Sequence, residues 1–196
     1  MNRLIYSAVL ASLALAPALV QAQESGGPVD SCESTSQDTE QGPLQVRFVE
    51  SAPRDRFVFD NNTASSVTSI TLDLTESVGQ LLFDTTEAGE GVEVFQPFRI
   101  EGGDASLSLM PTPGDGDTVL QLNFDSFPPG GSFAFSIDVD DTLTDSNLGQ
   151  IRVAGSEVAG ARIQLTFVDA SGKLALREAT FNDDASAAAC AGADSL

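Results

Sequence analysis

The sequence predicts an all-β fold: a single antiparallel β-sandwich, jelly-roll or Ig-like, of about nine strands. Three observations predict it. Apolar residues recur at every second position in short runs, clusters of turn-forming residues separate the runs, and beyond the N-terminal leader no stretch carries an apolar stripe at helical spacing. In chain order, Leu44, Val46 and Phe48 alternate with polar or smaller neighbours, then Phe57 and Phe59, then Ile70, Leu72 and Leu74. Val92-Glu93-Val94 opens another run, and Leu107 with Leu109 suggests a short one. Leu120, Leu122 and Phe124 follow, then Phe133, Phe135, Ile137 and Val139, then Ile163, Leu165 and Phe167. Leu174 and Leu176 begin a last run ending near Phe181. Between the runs stand Asp60-Asn61-Asn62, Ala88-Gly89-Glu90-Gly91, Pro113-Gly114-Asp115-Gly116-Asp117, Pro128-Pro129-Gly130-Gly131 and Ala170-Ser171-Gly172, all turn chemistry.

Residues 1–22 read as a secretory signal peptide. Arg3 supplies the positive start, Leu4 to Val20 is apolar but interrupted by Pro17, and Val20-Gln21-Ala22 fits a small-x-small cleavage site. The expected location is therefore exported: extracellular, cell-surface or periplasmic. Residues 23–43 read as a flexible acidic, Ser/Gly-rich arm, residues 44–183 as the sandwich and residues 184–196 as a small-residue C-terminal tail. The two cysteines, Cys32 and Cys190, stand near the two ends of the exported chain. In an oxidising compartment they are expected to pair. A bridge closing so long a loop is worth about 5 kcal/mol in the chain-entropy account.

Composition removes much of enzymology. The chain of 196 residues has no His and no Trp, and its single Tyr, Tyr6, lies in the leader. No His means no Ser–His–Asp triad, no Cys–His dyad and no His-ligated zinc. A formal net charge of −20, with 29 acidic against nine basic residues, argues against nucleic acid and anionic lipid as partners. No apolar run follows the leader, so membrane insertion is not expected either.

The acids themselves are the chemistry left to read. The densest cluster is Ser136-Ile137-Asp138-Val139-Asp140-Asp141-Thr142. Strand alternation puts Asp138 and Asp140 on one face, their carboxylates about 7 Å apart. Such close like charges need a counter-charge or hydration, and calcium, a hard cation bound by six to eight oxygens, suits an extracellular setting. Asp138, Asp140 and Asp141 are the central candidate ligands, with Asp60, Asn61 and Glu157 joining if their loops converge; Asn62, Asp115 and Asp117 are further loop candidates. The spacing is not that of an EF-hand, because Thr142 and Leu143 fall where acidic and Gly positions are needed. Two other readings compete. A salt-adapted protein carries such acidity merely to stay soluble. Paired carboxylates can also hydrolyse glycosides, but no Trp or Tyr remains to stack on a sugar, so that alternative is remote. Asn61-Asn62-Thr63 also matches a glycosylation sequon.

Three stretches together resemble a known family. They are Arg54-Asp55-Arg56-Phe57-Val58-Phe59-Asp60-Asn61; then Leu82-Phe83-Asp84-Thr85 leading into Gly91-Val92-Glu93-Val94-Phe95-Gln96-Pro97-Phe98; then Phe135-Ser136-Ile137-Asp138-Val139-Asp140-Asp141-Thr142 with Ser156-Glu157-Val158-Ala159-Gly160-Ala161. The set is similar to bacterial aggregation factor core proteins, a label taken from the sponge aggregation factor, over about residues 44–183. The resemblance implies a secreted, non-catalytic, calcium-dependent adhesion or matrix module whose partner is an extracellular glycan or another surface protein. This chain departs from the sponge system in being short and without a repeat array.

Overall fold

The period-two runs form strands, and the strands stack as two open sheets. The structure, a computed structural model, describes residues 42–191 except 52, 53, 93, 147, 150 and 151. Its strands are β1 (Leu44–Val49), β2 (Arg56–Asn61), β3 (Ser66–Asp73), β4 (Leu82–Asp84), β5 (Arg99–Gly103) and β6 (Ser106–Leu107). They continue as β7 (Val119–Ser126), β8 (Ser132–Ser136), β9 (Asp138–Asp140), β10 (Arg162–Val168), β11 (Leu174–Thr180) and β12 (Ser186–Ala189), with one helical turn, α1 (Gly155–Val158). One sheet runs β12-β1-β2-β8-β5, the other β11-β10-β3-β7-β6, and β4 with β9 forms a separate ribbon. Every pairing is antiparallel. Among the described residues no helix is long and apolar enough to cross a membrane.

Alternation decides which face meets the core. Leu44, Val46, Phe57, Phe59, Phe133 and Phe135 of the first sheet are buried, as are Ile70, Leu72, Leu120, Leu122, Ile163 and Leu165 of the second. Phenylalanine is the main filler. Phe135 stacks on Phe57 (ring centroids 5.2 Å) and on Phe59 (5.9 Å), and Phe98 from the loop before β5 tilts onto it at 5.0 Å. Phe124 of β7 meets Phe133 of β8 edge-on at 5.2 Å, which joins the two sheets. Each such pair adds about 0.5–1.5 kcal/mol beyond area burial.

The structure corrects several sequence expectations. Twelve strands are present among the described residues rather than about nine. Residues 92 and 94 are irregular rather than strand; the strand comes later, at Arg99–Gly103, where all five positions are exposed and no alternation exists to be read. Leu109 is exposed, as are Leu174 and Leu176 on the outer face of β11. The run from Phe133 to Asp140 breaks at Ile137 into β8 and β9, which pair with different partners. The supposed tail contains β12, which pairs with β1 through Leu44↔Ala189 and Val46↔Ala187; its inward side chains are only methyl groups, too small to register as an apolar run. Cys190 follows directly and is disulfide-bonded. Cys32, the signal peptide and most of the arm lie outside the described residues.

Phe135 touches four other rings, Phe57, Phe59, Phe98 and Phe133. Phe135→Ala is therefore expected to cost about 3–5 kcal/mol, a midpoint fall of at least about 6 °C, readable by thermal or urea unfolding. A loss under about 1 kcal/mol would show that this stack is not the frame described.

Candidate functional site

The acids gather on the β4–β9 ribbon, which continues from the Ser136 end of β8. Its register is Leu82↔Asp140, Phe83↔Val139 and Asp84↔Asp138. Period-two alternation therefore sends Phe83 and Val139 one way, into the core, and Asp84, Asp138 and Asp140 the other. That other face is also covered. Asp84 and Asp140 are each 1% exposed and Asp141 is 2% exposed.

The cover comes from residues 85–92 and from Gln96. A Cβ on Gly91 would collide with both Asp84 Oδ2 and Asp140 Oδ2. The two oxygens thus lie within about 5 Å of each other, close enough for like charges to couple strongly. Val92 N–H donates to Asp140 Oδ2 at 2.7 Å. Gln96 closes the segment: its N–H donates to Asp84 O (3.2 Å) and its carbonyl accepts Asp138 N–H (3.0 Å). Arg54 Nε holds the Gln96 side chain at 2.9 Å.

Most of the carboxylate oxygens in this cluster lack donors. Both oxygens of Asp84, Asp138 Oδ2, Asp140 Oδ1 and Asp141 Oδ2 are buried without a hydrogen-bond partner. A buried, unpaired carboxylate is costly, and it responds by binding a proton or a cation. Burial, aided by Asp140, Asp84 and Asp55, pushes Asp138 up to about 7. Burial, opposed by the Val92 amide but aided by Asp84 and Asp141, pushes Asp140 up to about 6. Burial and then Asp115 push Asp84 upward as well. Among the described residues no three acidic or thiol side chains are already gathered to hold a metal ion. What the fold preassembles is the Asp84–Asp140 pair, flanked by Asp138 and Asp141.

The other candidates fall elsewhere. Asp60 pairs with Ser132 of β8 and Asn61 N–H donates to Gly131 O just before it, so the run from Ser132 to Asp138, about 20 Å at strand rise, separates them from the cluster. Asp60 forms an ion pair with Arg47 at 2.7 Å. Asn61 is 1% exposed, and its amide donates to the carbonyls of Ser65, Phe127 and Pro128 while its oxygen accepts from Thr63. That fully used side chain pins a turn; it is neither a calcium ligand with these acids nor an accessible glycan acceptor in the folded protein. Glu157 is buried in α1, where its carboxylate accepts Ala154 N–H at 2.7 Å. Gly79 links it to the cluster's edge by donating to Glu157 O and accepting from Thr142 N–H, next to Asp141. Asp117 accepts Gly114 N–H at 2.6 Å and closes its own turn.

Nothing in the sequence alone marks Asp84 as a ligand. The available signal was Leu82-Phe83-Asp84, a three-residue alternation too short to read as a strand by itself. No protein-family model matches this chain, and no curated protein matches it closely enough to count as a relative.

Asp138 and Asp140 have folded pKa values above their ordinary 3.8. From about pH 4 to about pH 7 these two groups therefore hold more protons in the folded protein than in the unfolded chain, and the stability they contribute falls as pH rises through that window. In EDTA the midpoint is expected to be lower at about pH 8 than at about pH 5, with Asp138→Asn flattening the slope. An unchanged slope in that variant would show that general surface repulsion, not this cluster, sets the dependence.

Proposed function

We propose that this protein is an exported, non-catalytic β-sandwich module that binds calcium at the acidic ribbon and uses it in adhesion. The carrying observation is the Asp84–Asp140 pair: two fully buried carboxylates, side by side, with three of their four oxygens unsatisfied. The donor set is all oxygen, the chemistry calcium prefers, and calcium also accepts backbone carbonyls and water to complete six to eight ligands. Asp138 and Asp141 are the nearest additional acids. Carboxylates that receive a single backbone amide between them, in a chain without imidazole, suit holding a cation better than moving protons to a substrate. The leader-like N-terminus and the resemblance to aggregation factor core proteins support export and adhesion. A Cys32–Cys190 staple would secure edge strand β12 in that setting.

The test is thermal unfolding of the oxidised exported chain in calcium, magnesium or EDTA at matched ionic strength. At a hundred times its dissociation constant, a ligand specific to the folded state adds about 2.7 kcal/mol, a rise of about 5–10 °C here. Calcium alone is expected to give that rise, and Asp84→Asn with Asp140→Asn to remove it. Beads coated with the protein are expected to clump in calcium and disperse in EDTA. Equal, smooth stabilisation by any salt would instead favour a salt-adapted surface protein with no specific ligand.

A further inference from the structure

The segment covering the acid pair is tied down by a residue outside the pair. Asp115, in the turn before β7, accepts three backbone N–H groups from it: Thr85 (2.8 Å) and Thr86 (3.0 Å) on Oδ1, and Glu90 (2.6 Å) on Oδ2. The turn is itself anchored to β4, because Phe83 N–H donates to Asp117 O and Gly116 N–H to Phe83 O. Gly89 leaves room for the contact, since a Cβ there would collide with Asp115 Oδ2. Residues 86–90 are exposed on their outer side, while Gly91 and Val92 immediately after them seal Asp84 and Asp140. The tie and the seal are parts of one strap.

We propose that Asp115 is a positioning residue of the cation site: by holding residues 85–90 down it keeps bulk water off the Asp84–Asp140 pair, and so makes the site select its cation by ease of dehydration. This rests on the calcium reading of that pair. Magnesium sheds its water reluctantly and calcium does not, so a dry, covered pair of carboxylates discriminates between them before any difference in ion size is felt. Loosening the strap lets water in and admits hydrated ions.

Terbium, a luminescent stand-in for calcium, tests this through its decay lifetimes in H2O and D2O, which count the waters on the bound ion. Calcium and magnesium competition on the same protein gives selectivity. The Asp115→Ala variant is expected to add inner-sphere water and to lower calcium-over-magnesium selectivity about tenfold, the scale of losing an outer-shell partner. Asp115→Asn keeps one acceptor oxygen and is expected to fall between. Gly89→Ala pushes on the same contact from the strap side and reproduces the effect if Asp115→Ala does not fold. A purely structural Asp115 would lower the unfolding midpoint and leave hydration and selectivity alone, which would overturn the proposal. No terbium or calcium binding by the wild-type protein would overturn this proposal and the calcium reading together.

Discussion

A carboxylate taken out of water without a donor must acquire a proton or a cation, and this molecule buries several at one place. Asp84, Asp140 and Asp141 are essentially sealed, and five oxygens of these residues and Asp138 have no partner. Burying such groups unpaired costs several kcal/mol apiece. The fold must therefore hold them against their own repulsion. Much of the surrounding architecture is intelligible as the means of doing so.

The means are apolar on one side and hydrogen-bonded on the other. Phe83 and Val139 plug the back of the ribbon into a core built on stacked phenylalanines, so the front-facing acids cannot rotate the ribbon away. On the front, residues 85–92 are fastened by Asp115 and by Asp140 through Val92, and Gln96 bonds to both strands of the ribbon. Asp115 and Asp140 are both carboxylates, yet they behave oppositely. Asp115 receives three amides and is driven toward strong acidity; Asp140 receives one, and burial drives it the other way. Environment separates their roles.

The sequence made the long half-buried strands legible because each alternates over at least five residues with large side chains. β1, β2, β7 and β10 stand where the pattern puts them, and β3 overlaps its run but begins earlier, at Ser66, and ends before Leu74. What escaped has physical reasons. β12 fills its inward positions with Ala187 and Ala189, and β5 has no buried face at all. At the site, the cluster from Asp138 to Asp141 was visible as acid density, but its burial was not, because the cover comes from residues nearly 50 positions earlier, as the Val92–Asp140 bond shows. Asp84 was hidden in a three-residue strand. Asp60 and Asn61 looked eligible by residue type, and only the length of β2 and β8 separates them from the other acids.

The most direct measurement is the number of protons released when calcium binds, from calorimetric titrations at about pH 6.5 in buffers of different ionisation enthalpy. A cation that replaces protons on coupled buried carboxylates is expected to release on the order of one proton there, and almost none near pH 9. Asp140→Asn is expected to abolish both the heat and the release. Calcium binding without proton release near pH 6.5, or unchanged in that variant, would contradict the account, because the ion would then be held by exposed acids rather than by the buried pair.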